Sequence, residues 1–232
     1  MALKSVYLPS PNIQNGIITI TEEEHRHLVV SRAEPGELVE VFDGTGQVWR
    51  CQIVEAGKRQ TSARVKDERV LPAPKLNLIL GQALIRAAAF ELALEKAVEV
   101  GVTRVIPFLA SRSNAVSEKH DRWQRIIVEA AKQSKRYHLP VVDSAMKFGQ
   151  ILKLPATSRI LFAERDGGSL KSALAGAPVL FLIGPEGGWT DDELRSATDA
   201  GFSLVSLGAG ILRSETAAIV GASLIRYELG DM

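Results

Sequence analysis

The sequence predicts an α/β protein in two parts: a small β-barrel over residues 1–72 and an α/β domain with a mostly parallel sheet over residues 73–232. Short runs rich in β-branched residues fill the first 70 positions. The segment Leu71–Pro74 then brings two prolines, which deny the backbone both helix and ladder hydrogen bonds. Beyond it, apolar strands alternate with helical stretches, as in a parallel sheet covered by helices on both faces.

Four strand-like runs and one helix make up the first part. The helix is predicted to begin at Thr21 and end at Val30, with Glu24 completing a capping box and with Leu28 and Val29 inward. A small barrel is a common nucleic-acid-binding module, although strands alone do not prove that function. The predicted strands are Gly16–Ile20, Leu38–Phe42, Gln47–Val54 and Thr61–Lys66, with a hairpin turn at Asp43–Gly46.

The second part repeats the order of strand then helix. The helix predicted over Lys119–Arg136 has Trp123, Ile126, Ile127 and Ala130 on one face. Its strands are short and apolar, as expected where both faces of a sheet are covered. The other predicted elements are strands Leu76–Ala83, Arg104–Leu109, Val141–Val142, Arg159–Glu164, Val179–Ile183 and Leu204–Leu207, and helices Ala87–Val100 and Glu215–Leu229.

Two glycine loops follow apolar strands near the C-terminus. After the first loop, Gly184–Gly188, Thr190 and Glu193 have the spacing of a capping box that opens a helix. After the second loop, Leu207–Arg213, Ser214 is placed to cap the last helix. Ligands bind at the carboxyl ends of strands in open α/β sheets, so we expect a ligand site between these loops.

Composition excludes several classes of protein. No apolar run is long enough to span a membrane and no signal-peptide pattern opens the chain, which predicts a cytoplasmic protein. The only cysteine, Cys51, lies in an alternating run and is expected to be a buried strand residue. His25 and His27 diverge by about 200° on a helix, so we expect no metal site.

The loops lack the fingerprints of phosphate-binding enzymes. There is no G-x-G-x-x-G after the first α/β strand, no P-loop, and no hydrolase, zinc-protease or kinase motif. Glycine lets a backbone approach a ligand closely, and a carboxylate suits a helix N-terminus. Adenosine with a methionine tail fits both features. The alternative is a purely structural pair of tight turns.

A basic stretch stands out against a chain with a net charge of only +1. The range Ser111–Tyr137 holds seven Lys or Arg residues and three acidic ones. Such a helix is often only a solvated surface. The alternative is an electrostatic footprint for a phosphate backbone.

The two glycine loops, the run Glu129–Arg136 and the closing Ile211–Ala217 resemble the bacterial ribosomal RNA small subunit methyltransferase E family. The resemblance spans nearly the whole chain. It implies a SPOUT-superfamily enzyme that uses S-adenosylmethionine to methylate N3 of uridine 1498 in 16S rRNA, on the assembled or late-assembling 30S subunit. It also implies a PUA-like RNA-binding barrel, a trefoil knot in the C-terminal domain, and a homodimer formed through the knotted domains.

The resemblance also assigns the cofactor site to three loops. In one of them Ala209-Gly210 replace the usual proline and arginine, a departure in the lid of that site. The cofactor-binding residues it implies are Leu161, Ala163, Glu164, Ile183, Gly184, Pro185, Gly187, Gly188, Leu207, Gly208, Ile211, Leu212, Thr216 and Ala217.

Methylation at N3 of uracil requires loss of the N3 proton. If the imide pKa lies about two units above neutral, forming the anion costs about 3 kcal/mol, and one preorganised donor at the developing oxyanion is worth about 3 to 4 kcal/mol. Arg213 is the catalytic candidate because it is permanently charged and lies in the second loop. The alternative is a structural salt bridge to Glu215 or Glu186. Glu186 is either the proton acceptor or a residue that orients its own loop.

Three functions remain open at this point: the uridine-N3 methyltransferase, a related enzyme for another RNA atom such as a ribose 2′-oxygen, and a non-catalytic ribosome-assembly factor. Intact glycine loops and the full-length resemblance favour the first. The basic residues expected to contact RNA are Arg26, His27, Arg32, Arg112, Arg122, Arg125, Lys132 and Arg136.

Overall fold

The chain forms two compact units in a computed structural model that describes residues 3–113, 118–164 and 167–231. The N-terminal unit contains the residues up to Ala73 together with Ala131–Leu139, and the C-terminal unit contains Pro74–Ala130 and the residues from Pro140 onward. The sequence predicts a single boundary near residue 72. The return of residues 131–139 to the N-terminal unit has no counterpart in the local sequence pattern.

A six-stranded sheet and one helix form the N-terminal unit. Its elements are β1 (Lys4–Tyr7), β2 (Ile13–Gln14), β3 (Ile17–Ile20), α1 (Glu22–Val30), β4 (Leu38–Phe42), β5 (Gln47–Ala56) and β6 (Thr61–Val70). The strand order is β1-β4-β5-β6-β3-β2. Alternation along β5 buries Trp49, Cys51 and Ile53 in the core, and burial raises the pKa of the Cys51 thiol to about 12. The prediction of a buried strand cysteine is confirmed.

Two details of helix α1 differ from the prediction. Thr21 occupies the N-cap position, but its side chain makes no capping hydrogen bond, and the Glu24 carboxylate accepts hydrogen bonds from Lys132 Nζ instead. Val29 is 52% exposed, whereas His25 and Leu28 are buried. Residues three apart share a helix face, and the next residue rotates about 100° away. The predicted capping box and the inward Val29 are therefore wrong.

Residues 131–139 are held in the N-terminal unit by polar contacts. Lys135 Nζ and the Tyr137 hydroxyl both donate to the Glu40 carboxylate of β4. Partial burial raises the pKa of Glu40, but these hydrogen bonds and the charge of Lys135 outweigh burial and leave that pKa below its usual value. Burial and the same carboxylate raise the pKa of Tyr137. These contacts depend on residues almost 100 positions apart.

A seven-stranded sheet forms the centre of the C-terminal unit. The elements after Ala73 are β7 (Leu78–Ala83), α2 (Ala87–Glu99), β8 (Arg104–Leu109), α3 (His120–Ser134), β9 (Val141–Val142), β10 (Met146–Lys147), α4 (Phe148–Ile151), β11 (Ser158–Phe162), α5 (Leu170–Ala173), β12 (Val179–Ile183), α6 (Asp191–Asp199), β13 (Ser203–Val205) and α7 (Ser214–Glu228). The end of α3, from Ala131 onward, belongs to the N-terminal unit. The strand order of the sheet is β10-β8-β7-β12-β11-β13, with β9 paired to β8. Every strand pair is parallel, which confirms the predicted sheet type.

The two central strands set the edge at which a ligand site can form. All residues of β7 and β12 are buried, and helix α7 packs on both strands and on α2. Because the sheet is parallel, the carboxyl ends of β7, β11, β12 and β13 lie at one edge. Within the described ranges, no helix has the length and apolarity needed to cross a membrane.

Candidate active site

A cavity of about 650 Å³ opens at the carboxyl edge of the parallel sheet. It is lined by residues at the ends of β11 and β12, by the loop after β13, and by the first turns of α2 and α7. The lining includes Arg213, Glu186 and all the predicted cofactor-binding residues except Leu161, Gly187 and Thr216. Leu161 is fully buried in the core instead. The sequence therefore locates the cavity but not every residue of its wall.

The first glycine loop, Gly184–Gly188, packs closely against its surroundings. A Cβ atom at Gly184 would lie 2.8 Å from the indole ring of Trp189. That indole donates its N–H to the carbonyl oxygen of Phe162 at 2.9 Å, and its ring stacks on Phe108 with 6.0 Å between centroids. Trp189 thus ties the end of β12 to the end of β11. Only a residue without a side chain fits at position 184.

Arg112 braces the same loop from outside. Its Nη1 donates to the carbonyl oxygen of Gly187 at 2.8 Å and to that of Trp189 at 3.4 Å. The predicted capping box of α6 is also present: Thr190 Oγ1 accepts from Glu193 N, and the Glu193 carboxylate accepts from Thr190 N. Arg112, predicted to contact RNA, therefore supports the cavity wall through hydrogen bonds that local sequence did not reveal.

Helix α7 begins one residue earlier than predicted. Arg213 occupies its N-cap position, without a side-chain capping bond, and Ser214 is the first helical residue. The Ser214 hydroxyl donates to the carbonyl oxygen of Gly184 at 2.7 Å. The predicted role of Ser214 as the helix cap is wrong, because its hydroxyl bonds across the sheet to the first loop.

The second glycine loop, residues 207–213, is more exposed. Ile211 and Leu212 are 76% and 36% exposed. A Cβ atom at Gly208 or Gly210 would meet nothing within 4 Å. The close contacts of this loop include a hydrogen bond from Ser206 Oγ to the Gly208 carbonyl oxygen at 3.1 Å. Open space beside these glycines leaves room for a ligand or another chain.

The charges at the cavity are arranged unevenly. Arg86, at the N-cap of α2, donates through Nε to both oxygens of Glu186 at 3.1 and 3.3 Å. For the Arg213 guanidinium, the described part of the chain supplies no hydrogen bond and no ion pair. The salt bridge considered for Arg213 is therefore absent among the described residues. Glu186 has Arg86 as its partner instead.

The predicted RNA contacts fall into different environments. Lys132 is buried and forms an ion pair with Glu24, so its predicted RNA contact is not supported. Arg122 pairs with Glu91 on the surface. Arg136 is half-buried. The exposed members of the set are Arg26, His27, Arg32, Arg112, Arg122 and Arg125.

His25 and His27 differ as the helix geometry predicts. His25 is buried and its Nδ1 lies 2.9 Å from the hydroxyl of Thr61, whereas His27 is exposed. In residues 3–113, 118–164 and 167–231, no group of three or more His, Cys, Asp or Glu side chains is placed to hold a metal ion.

Sequence reasoning missed the wall formed by the β7–α2 connection. Arg86, Ala88, Ala89 and Leu92 all line the cavity, yet this connection carries no glycine motif. The position of this connection could have revealed it, because it follows the carboxyl end of β7. Ligands bind at that edge in open α/β sheets. Ser214 and Trp189, both within recognised motifs, were also left out of the predicted site.

The parallel sheet and the glycine-loop cavity at its carboxyl edge define an α/β protein with a site of the size that small molecules occupy. A model of the RNA methyltransferase domain matches residues 72–226, and a model of the RNA methyltransferase PUA domain matches residues 20–66. The chain belongs to the ribosomal RNA small subunit methyltransferase E family.

Individual relatives agree with this membership. The ribosomal RNA small subunit methyltransferase E of Synechocystis sp. is 35% identical, and the match covers 97% of this chain and 77% of the relative. The protein of the same name from Rickettsia conorii is 31% identical over 97% of this chain and 96% of the relative.

Two solved structures are similar over nearly the full length. A ribosomal RNA small subunit methyltransferase E from Neisseria gonorrhoeae, bound to S-adenosyl methionine, has a TM-score of 0.90 and 30% identity, with 97% of this chain and 98% of that chain covered. A methyltransferase from Legionella pneumophila, in complex with the same cofactor, has a TM-score of 0.90 and 26% identity over 98% of both chains.

Proposed function

We propose that this protein transfers a methyl group from S-adenosylmethionine to N3 of uridine 1498 of 16S rRNA, acting on the assembled or late-assembling 30S subunit. The observation that carries the proposal is the cavity between the two glycine loops, which Arg213 lines without a side-chain partner among the described residues. Two relatives of similar fold are described as bound to this cofactor.

The cavity fits the cofactor in size and chemistry. Its volume of about 650 Å³ lies inside the range of about 300 to 1,000 Å³ typical of small-molecule sites. Open space beside Gly208 and Gly210 lets a flat ring approach the backbone, and the N-terminus of α7 favours a carboxylate. The backbones of the two loops would hold the cofactor. When bound, it supplies an electrophilic methyl group on a sulfonium.

Arg213 is the catalytic residue in this proposal. As N3 loses its proton, negative charge develops on the uracil oxygens, and a guanidinium that no described residue engages can bind them through its planar fork. A guanidinium already committed to a carboxylate would be less available for this task. Because neither Glu186 nor Glu215, nor any other described residue, pairs with its side chain, the structure favours a catalytic role for Arg213 over the structural salt bridge that the sequence left open.

Glu186 is assigned to loop orientation. Its two carboxylate oxygens accept hydrogen bonds from Arg86, which fixes the side chain at the cavity wall between α2 and the first glycine loop. A proton acceptor needs an oxygen directed at the reacting nitrogen. The contacts of Glu186 favour the orienting role.

The proposal includes a homodimer and the knotted path implied by the family resemblance. Several apolar side chains near the cavity and on α7 face solvent in the single chain, among them Ile211 at 76% and Tyr227 at 71% exposed. A second copy of the chain could cover them. Light scattering coupled to size exclusion would measure the mass in solution, and a monomer at micromolar concentration would argue against this part of the proposal.

Methyl transfer to isolated small subunits tests the function. Labelled S-adenosylmethionine is incubated with subunits that lack the modification, and the product nucleosides are identified by mass spectrometry. N3-methyluridine is the expected product. A ribose-methylated product would favour the related enzyme for another RNA atom. Cofactor binding without transfer would direct the search to another RNA, and a protein that binds no cofactor would favour the assembly factor.

A further inference from the structure

Gln82 is a buried polar residue in an otherwise aliphatic row of the central sheet. Leu78 and Leu80 precede it at a spacing of two on β7 and, like Gln82, are at most 1% exposed. Side chains two apart on a strand lie on the same face. An aliphatic side chain would fill this position without burying a polar group. The amide therefore has a role beyond packing.

The amide of Gln82 connects three segments that meet at the cavity. Gln82 Nε2 donates to Ser214 Oγ at 2.9 Å, and Ser214 Oγ donates to the carbonyl oxygen of Gly184 at 2.7 Å. Because the hydroxyl has one proton and gives it to Gly184, it must accept from Gln82. The end of β7, the start of α7 and the start of the first glycine loop are thus joined by one chain of hydrogen bonds.

The carbonyl end of the amide differs from its donor end. Gln82 Oε1 is buried and has no hydrogen-bond partner among the described residues. An unpaired buried acceptor destabilises a fold, whereas a nonpolar side chain of similar shape avoids that penalty. The Gln82 amide thus lowers the stability of the fold through its unpaired oxygen, while its Nε2 donor makes the contact with Ser214.

We propose that Gln82 is a positioning residue for methyl transfer. By holding Ser214 it fixes the first turn of α7, and with it the direction in which the adjacent Arg213 presents its guanidinium to the cavity. Arg213 lacks a partner of its own in the described chain, so its direction depends on the backbone at the N-cap. This inference rests on the proposed catalytic role of Arg213. Gln82 is not among the described residues that line the cavity.

The substitution Gln82→Met tests the proposal because it removes the donor at nearly constant volume. At saturating cofactor and subunit, the single-turnover rate of methyl transfer should fall about tenfold or more, since small displacements of a catalytic group are costly. The cofactor Kd from calorimetry should stay close to that of the wild type, because Trp189 and Arg112 still hold the first loop. The matched control Leu80→Met, on the same face, should leave both quantities unchanged.

A double-mutant cycle separates positioning from general damage. Arg213→Lys keeps the charge but loses the planar fork, so its rate is reduced yet measurable. If Gln82 acts through Arg213, Gln82→Met should lower the transfer rate of the Arg213→Lys variant by a much smaller factor than it lowers the rate of the wild type. The inference would be overturned if Gln82→Met lowered the rate by the same factor in both backgrounds. A wild-type rate for Gln82→Met would overturn it as well.

Ser214 provides a second route if Gln82→Met fails to fold. Ser214→Thr keeps the hydroxyl and should retain transfer, whereas Ser214→Ala should show the loss expected for Gln82→Met. Equal rates for the two Ser214 variants would refute the relay. A wild-type protein that binds cofactor but methylates no small-subunit uridine would instead refute the proposed function, and the positioning role would fall with it.

Discussion

The two glycine loops that line the cavity are held in very different ways. The first receives the Trp189 indole against Gly184, the Ser214 hydroxyl on its carbonyl, and the Arg112 guanidinium on the carbonyl of Gly187. The second has open space beside Gly208 and Gly210, and exposes Ile211 to solvent. One wall is therefore built by the protein alone, while the other has surface left for a ligand or a second chain.

The two loops should therefore contribute differently to ligand binding. A wall that is already ordered costs little conformational entropy when a ligand arrives, whereas an open wall must lose freedom at that moment. We expect the first loop to set cofactor affinity through its internal packing. We expect the second loop to affect mainly the rate of methyl transfer, after the cofactor and the RNA have bound. Five substitutions, in four experiments, test this difference between the two loops.

The largest effect is expected for Arg213→Ala, at the end of the open loop. Loss of a preorganised donor to a developing oxyanion lowers the rate by about 10²- to 10³-fold, with cofactor affinity largely retained. Single-turnover transfer to small subunits and calorimetry with the cofactor measure the two quantities. Arg195→Ala, which removes an exposed guanidinium of α6 outside the cavity lining, is the control. Near-normal turnover of Arg213→Ala would remove this residue from the mechanism.

Next comes the matched pair Gly184→Ala and Gly210→Ala. The added methyl at Gly184 meets the Trp189 ring at 2.8 Å, and overpacking of about 1 to 3 kcal/mol should lower the Tm and weaken cofactor binding about tenfold or more. The methyl at Gly210 meets nothing within 4 Å, so the Tm of the free protein should not change. Equal losses of Tm for both variants would mean that the loops do not differ in packing.

A smaller effect is expected for Arg112→Ala. Its loss frees the carbonyls of Gly187 and Trp189, and net hydrogen-bond contributions of about 0.5 to 1.5 kcal/mol correspond to a cofactor affinity reduced about two- to tenfold. Equilibrium dialysis without RNA isolates this effect from RNA binding. Arg122→Ala removes a surface guanidinium paired with Glu91 and should leave the dialysis result unchanged. An unaltered cofactor Kd for Arg112→Ala would mean that Arg112 does not support cofactor binding, and would leave RNA contact as its only proposed role.

The smallest effect is expected for Glu186→Gln. The pair with Arg86 is exposed on its arginine side at 79%, and exposed ion pairs contribute about 0 to 1 kcal/mol. Cofactor affinity should therefore change by no more than about fivefold, and the maximal transfer rate should change little. A rate lowered about 10²-fold or more would identify Glu186 as the proton acceptor, which single-turnover kinetics at several pH values would detect.

Local sequence determined the elements and the edge of the sheet at which the site forms. The bounds predicted for β4, β8 and β12 agree with the structure, because each is a short apolar run ended by residues that leave the sheet. The Thr190 and Glu193 capping box is present as predicted, because all its atoms lie within four residues. Contacts of this range join residues that are close in the chain, so local sequence predicts them wherever no distant side chain competes for the same group.

Tertiary structure alone decided which polar side chains act together. Glu24 meets Lys132 instead of capping α1, Ser214 bonds to Gly184 instead of capping α7, and Gln82 reaches a residue 132 positions away. The choice among competing partners depends on distance in space, and the sequence pattern carries no information on that distance. The order of strands and loops in the sequence therefore predicts where the cavity forms. The side-chain contacts that hold its walls are set by the packing of β7, β12 and α7.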